Sequence, residues 1–94
     1  MSNKEHQTEE YKIGIINRLK RIEGQIRGLQ KMVEENRNCS EILIQLSAVK
    51  GALNKTTEKI LKEYTKVCII EYEESGNEKL IEELIEILSK FKEV

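Results

Sequence analysis

The sequence contains no proline, no tryptophan and only two cysteines among its 94 residues. Two cysteines are too few for a disulfide scaffold, which argues against a disulfide-stapled secreted domain. No signal peptide is visible, and there is no apolar run of about 18 residues, the length that a membrane-spanning helix needs. We therefore expect a cytoplasmic protein with no membrane contact.

Signatures of catalysis are also missing. The sequence shows no paired acid and base residues, no phosphate-binding loop and no nucleophile triad. We therefore expect no enzyme activity.

A helix-turn-helix signature is absent too, so if the chain binds DNA, a whole helical face must make the contact.

What the chain does contain is charge and helix-forming residues. Charged residues make up 35% of the sequence and hydrophobic residues 38%, with Leu, Ile, Glu and Lys dominant. This is the composition of helical bundles. The net charge of −1 is unevenly spread, because residues 11–37 hold seven Lys or Arg against three Glu, whereas residues 71–94 hold eight Glu against three Lys. The basic face formed by residues 11–37 could therefore bind a polyanionic partner.

Apolar residues recur at spacings of three and four, which predicts an all-α protomer of three helices. Helix one covers about 9–35. Asn38 then has the offset from Glu41 of a capping box, so it is the predicted N-cap of a long central helix that ends at about Tyr72. The turn signal at 73–77 separates this helix from the third.

The length of the chain bounds its organisation. We predict one domain, residues 1–94, with a mobile arm at 1–8 because that segment is polar and has no periodicity. A single copy of this size buries only a modest fraction of its surface, and the central helix is longer than two short helices can cover. Self-association into a helical bundle is therefore expected.

The two cysteines, Cys39 and Cys68, lie at opposite ends of the central helix. Twenty-nine residues of helix rise by roughly 43 Å, whereas a disulfide or a shared metal needs Cα atoms within about 7 Å. The two residues share one helix face, so an antiparallel neighbour would set Cys39 against Cys68 of another copy. Cys39 is in the first turn, where the helix dipole favours a thiolate. A buried cysteine with no role beyond packing is the alternative for Cys68.

Basic residues flank the apolar stripe of helix one. Arg18, Arg21 and Gln25 lie on one flank and Lys20, Arg27 and Lys31 on the other, while Lys50 and Lys55 add positive charge on helix two. Such a surface can neutralise DNA phosphates, and its arginines can contact guanine. The alternative is an ordinary solvated face of mixed charge.

The run NRLKRIEGQIRGLQKMVEENRNCSEILIQLSAVKGALNK, followed by YTKVC, resembles the CsoR/RcnR family of bacterial DNA-binding repressors. The likeness extends from about Tyr11 to the end of helix three. It implies an antiparallel bundle dimer and a disc-like homotetramer, a dimer of dimers, that represses an operon and leaves DNA when its thiol site is occupied. The DNA-contacting basic positions of the family fall on Arg18 and Lys55. Together with Arg21 and Gln25, which share a flank with Arg18, these are the four predicted DNA-binding residues.

The resemblance also implies a ligand set. In the copper sensors of this family a cysteine, a histidine and a second cysteine bind Cu(I) across the subunit interface, and these positions fall on Cys39, Tyr64 and Cys68. A neutral phenol is a poor ligand for Cu(I). Two thiolates can still hold Cu(I) linearly, with His6 as a candidate third donor, whereas nickel, cobalt and zinc would want four or more donors.

Two cysteines without the histidine resemble the CstR branch of the family, the persulfide sensors. In that reading Cys39 attacks a persulfide or polysulfide and Cys68 of the neighbouring subunit closes a crosslink of two or more sulfur atoms. We therefore expect a repressor that senses reactive sulfur through a Cys39–Cys68′ pair and uses no cofactor. The first alternative is a Cu(I)-sensing repressor that uses the same two thiolates. The second alternative is a helical interaction module without a DNA role.

Overall fold

The computed structural model describes residues 7–91. Three helices form the described chain: α1 (Glu9–Glu34), α2 (Cys39–Ser75) and α3 (Glu78–Ser89). The predicted all-α protomer with a long central helix is confirmed, and the described residues contain no strand. His6 and most of the predicted arm lie outside the described residues.

Side-chain caps define the starts of the first two helices. Thr8 caps α1, because its hydroxyl accepts a hydrogen bond from the Tyr11 N–H at 3.0 Å. The Asn38 carboxamide oxygen accepts from the Glu41 N–H at 3.2 Å, which confirms Asn38 as the N-cap of α2. Each cap satisfies a backbone donor that would otherwise lack a partner.

The central helix is longer than the sequence predicted. It has 37 residues and ends at Ser75, three residues beyond the expected end at Tyr72. In this last turn the Ser75 hydroxyl donates to the Glu71 carbonyl at 2.8 Å, and the helix ends at Gly76. Gly76 has a φ of 68°, a left-handed conformation that glycine adopts without steric cost, and its N–H bonds the Tyr72 carbonyl at 2.7 Å.

The core lies along α2, which packs against α1 on one part and α3 on another. Its buried side chains come from all three helices and are Ile22, Val49, Thr56, Val67, Cys68 and Leu84. Thr56 is the one polar member, and its hydroxyl donates to the Ala52 carbonyl at 3.0 Å. The backbone thus satisfies the one buried hydroxyl of this core.

Much of the predicted apolar stripe is uncovered in a single protomer. Only Ile22 of the α1 stripe is buried, and Ile44 near the start of α2 is 71% exposed. Large exposed apolar side chains on these two helices are Ile13, Ile16, Leu19, Ile26, Val33, Leu43, Ile44, Leu46, Leu53, Ile60, Ile69 and Ile70. A surface this apolar is typical of a protein interface. None of the helices in 7–91 has the length and apolar character needed to cross a membrane.

Candidate thiol site and DNA-binding surface

The structure gives the two cysteines opposite exposure and keeps them apart. Cys39 is exposed at the first residue of α2, whereas Cys68 is fully buried with 0% exposure. Since α2 is continuous between them, they are separated by a rise of roughly 43 Å. Within 7–91 no group of three or more His, Cys, Asp or Glu side chains could hold a metal ion. The described residues of one protomer therefore bring no three such donors together.

Cys39 lies beside an exposed ion pair. The Arg37 guanidinium donates to the Glu41 carboxylate at 2.9 Å across the start of α2. This hydrogen bond and the positive charge of Arg37 lower the pKa of Glu41, while the same hydrogen bond and the negative charge of Glu41 raise the pKa of Arg37. Both groups are therefore ionised at neutral pH, and the accessible thiol lies next to a fixed pair of opposite charges.

Cys68 lies in the core of the protomer, in the C-terminal part of α2. Its neighbour Val67 is 1% exposed, and Tyr64 lies one helical turn earlier on the same face. Burial, followed by a hydrogen bond with the Cys68 side chain, raises the pKa of Tyr64 to about 12, with smaller contributions from the carboxylates of Glu83 and Glu71. Tyr64 therefore remains a neutral phenol at physiological pH and interacts with the buried thiol.

A groove of about 490 Å³ between α2 and α3 borders this thiol region. Its lining is Gln7, Thr57, Ile60, Leu61, Tyr64, Ile87 and Phe91. Tyr64 thus contacts both the groove and the Cys68 side chain. The four-residue offset of Tyr64 from Cys68 is readable in the sequence, but the approach of Glu83 from α3 is not, because it depends on how the two helices pack.

One more polar group in this region was missed by the sequence analysis. Glu71, one turn after Cys68, has a buried Oε1 atom with no hydrogen-bond partner among the described residues. Its position three residues after a cysteine is the only available sequence signal, and such an offset on a helix is common. The tertiary structure, and not the sequence pattern, therefore shows that the carboxylates of Glu71 and Glu83 lie near Tyr64.

The predicted DNA-binding residues divide into two groups. Arg18 of α1 and Lys55 of α2 line the same cleft, as expected for one binding surface. Arg21 is exposed outside this cleft, while Gln25 is half-buried and its Oε1 atom has no partner among the described residues. The structure thus brings two of the four predicted residues together.

Comparisons with known proteins identify relatives of the whole fold. The family described as metal-sensitive transcriptional repressors matches residues 11–90. The copper-sensing transcriptional repressor CsoR of Bacillus subtilis is 42% identical over 87 residues, which cover 92% of this chain and 86% of that protein.

Two solved structures share the architecture. The copper-sensing repressor CsoR with Cu(I) from Geobacillus thermodenitrificans has a TM-score of 0.82 and 40% identity, with 90% of each chain covered. The nickel-responsive regulator InrS has a TM-score of 0.75 and 42% identity, covering 92% of this chain and 94% of that one.

These relatives correct one expectation from the sequence. We expected no cofactor, and this was wrong: the Bacillus protein is a copper sensor and the Geobacillus structure holds Cu(I). The expectation failed because it gave the loss of one histidine donor, at Tyr64, more weight than the two thiols that remain. The matched family consists of transcriptional repressors, which confirms that the chain is not an enzyme.

Proposed function

Since this chain belongs to the family of metal-sensitive transcriptional repressors, we propose that it is a cytoplasmic, Cu(I)-responsive repressor that binds operator DNA and releases it when copper is bound. The observation that carries this proposal is the pair of cysteines at the two ends of α2, in a chain that is 42% identical to a copper-sensing repressor. Cu(I) prefers soft donors such as thiolates.

Cu(I) would be held between subunits by Cys39 of one copy and Cys68 of another. Within a protomer the two residues are roughly 43 Å apart along α2, so only an antiparallel neighbour can bring them together. The exposed apolar side chains of α1 and α2 supply a surface for that neighbour. The proposed assembly is an antiparallel dimer of single-domain chains, paired again into a tetramer.

The donor set of the described residues fits Cu(I) through two sulfur atoms. Tyr64 lies at the third position but is a neutral phenol, because burial and the hydrogen bond with Cys68 raise its pKa to about 12. The thiolates of Cys39 and Cys68′ would therefore hold the ion, and His6 is the candidate for any further donor. The bound ion would supply a positive charge that attracts both thiolates.

DNA release would follow from the burial of Cys68. A ligand reaches this side chain only if the packing around α2 changes, since the residue is 0% exposed. Lys55 lies thirteen residues earlier on the same continuous helix, so a shift of α2 also moves the DNA-binding face formed with Arg18. Allosteric coupling of about 1–3 kcal/mol would change operator affinity roughly 5- to 150-fold.

Fluorescence anisotropy tests this proposal with the reduced protein and a duplex from upstream of its own coding sequence. We expect operator binding without metal, and a loss of affinity of roughly 5- to 150-fold with buffered Cu(I). Cys39→Ser and Cys68→Ser should still bind the duplex but no longer respond, while Arg18→Ala should lose operator binding. Undiminished operator binding at saturating Cu(I) would overturn the proposal.

Persulfide sensing is a second candidate, favoured by the phenol of Tyr64 in the third ligand position. The Cys39 thiolate attacks the outer sulfur of a persulfide RSSH, so a Cys39 persulfide forms and RS⁻ leaves. The Cys68′ thiolate then attacks the Cys39 sulfur, which forms a disulfide and releases HS⁻. The persulfide is reduced and the two thiols are oxidised.

Mass spectrometry distinguishes this second candidate from the first. Treatment of the copper-free protein with an organic persulfide should yield chains joined through Cys39 and Cys68 and should lower operator affinity. Unmodified thiols after that treatment, with a normal response to Cu(I), would leave copper as the inducer.

A further inference from the structure

A basic cleft between α1 and α2 extends beyond the residues predicted to contact DNA. It has a volume of about 450 Å³ and is lined by Arg18 of α1 and by Lys55, Glu58, Lys59 and Lys62 of α2. The α2 residues recur at offsets of three and four, which places them on one face of the helix. Their side chains are exposed, whereas Arg18 is half-buried.

The cations of this cleft are not neutralised within the described part of the chain. The ion pairs found there are Lys12–Glu9, Arg37–Glu41 and Lys66–Glu63, and none of them includes a cleft residue. Four cations therefore face one carboxylate, that of Glu58. The cleft carries an excess of positive charge that an anionic partner can neutralise.

The shape of the cleft fits a polymer of phosphates. From Lys55 to Lys62 the helix rises about 10 Å, and the phosphates of one DNA strand advance about 3.4 Å per nucleotide along the duplex axis. The row therefore spans about three consecutive phosphates. An open row of exposed lysines suits an extended backbone, whereas a small anion needs donors that converge on one point.

We propose that Lys59 and Lys62, together with Arg18 and Lys55, bind the phosphate backbone of DNA in this cleft, and that Glu58 weakens the binding. This inference rests on the proposed repressor function. Lysine contacts to phosphate set affinity and position and carry no sequence information. Glu58 opposes them because its carboxylate repels phosphate and attracts the neighbouring lysines.

The test uses Lys59→Gln, Lys62→Gln and Glu58→Gln in the full-length reduced protein without metal. Lys66→Gln is the matched control, since it removes the same charge from α2 outside the cleft. Affinity is measured by anisotropy at several salt concentrations, with the upstream duplex and with a scrambled duplex of equal length. Circular dichroism verifies that each variant keeps its helix content.

Each lysine variant should reduce the slope of log affinity against log salt by about 0.9 for every copy of the chain that contacts the duplex, relative to wild type and for both duplexes. Lys66→Gln should leave the slope unchanged, and Glu58→Gln should tighten binding to both duplexes. Wild-type slopes in Lys59→Gln and Lys62→Gln would overturn the phosphate contacts, and unchanged affinity in Glu58→Gln would overturn its opposing role.

The two duplexes separate this inference from the proposed function. If the wild-type chain binds both duplexes equally, operator recognition fails, but the slopes still decide whether the cleft binds phosphates. If the chain prefers the upstream duplex while the lysine variants behave as wild type, the repressor function stands and the cleft inference fails.

Discussion

The two ends of α2 carry the same functional group in opposite environments. At the first residue, Cys39 is exposed beside the Arg37–Glu41 ion pair. Near the other end, Cys68 is fully buried and interacts with Tyr64. Packing within the protomer thus encloses the Cys68 thiol, while the Cys39 thiol is accessible to solvent and to a second copy. An inter-subunit site can form from a helix that has one buried and one accessible thiol.

Thiol alkylation gives the largest expected contrast between the two ends. Iodoacetamide should modify Cys39 quickly, and Cys68 at least about a hundredfold more slowly, because a buried thiol reacts only after a local opening that costs ~3 kcal/mol. Peptide mass spectrometry of the reduced, metal-free protein measures both rates. In denaturant the two rates should converge, and equal rates in the native protein would contradict the difference in burial.

Serine substitution tests the difference between the two cysteines through the free energy of unfolding. Cys68→Ser replaces a fully buried thiol by a smaller and more polar hydroxyl, and should lower the free energy of unfolding by about 1–3 kcal/mol. Cys39→Ser is its matched control at an exposed position and should change stability by less than about 0.5 kcal/mol. Urea unfolding at one fixed protein concentration gives both values. An equal loss in both variants would mean that Cys39 is also enclosed, for example by a partner chain.

Substitution of Tyr64 tests whether the copper site near Cys68 lacks a third ligand. Tyr64→His supplies an imidazole beside Cys68, and Cu(I) affinity should rise about tenfold or more, equivalent to ~1.4 kcal/mol. Competition with a Cu(I) chelator measures this affinity. Tyr64→Phe is the control and should show no gain, because it offers no donor. The same affinity in both variants would place Tyr64 outside the copper site.

The ionisation of Tyr64 gives the smallest expected signal, since it concerns one of three tyrosines. Absorbance of phenolate should show a step near pH 12 that is lost in Tyr64→Phe. Because the pKa is raised on folding, from 10.0, the stability contributed by the neutral phenol is present below pH 10 and is lost as the pH rises through about 12. Ionisation of all three tyrosines near pH 10 would contradict the burial of Tyr64 and its hydrogen bond with Cys68.

The helices were predictable because their signals are local. The predicted start of α1 at residue 9 and the Asn38 cap of α2 agree with the structure, since each depends on residues a few positions apart. The end of α2 was misplaced by three residues, because Glu73, Glu74 and Ser75 were assigned to a turn. In the structure the turn needs only Gly76 and Asn77, and the preceding residues extend the helix.

The candidate site was predictable only in part. The sequence placed Tyr64 one turn before Cys68 and predicted Arg18 and Lys55 as DNA-binding residues. It did not reveal that these two share a cleft with Lys59 and Lys62, since the rotation of α2 against α1 determines which side chains meet. The expectation of no cofactor failed because it gave the phenol of Tyr64, in place of a histidine donor, more weight than the two thiols that remain.

The sequence by itself determined three helices and placed one cysteine at each end of the longest. Periodicity, capping and turn residues act over a few positions, so they can be read along the chain. Only the tertiary structure decided that Cys68 is buried, that Cys39 is exposed, and that the basic residues of two helices form one cleft. Burial and charge clustering depend on which helix faces pack together. Contacts of α1 and α3 with α2, between residues distant in sequence, determine those faces.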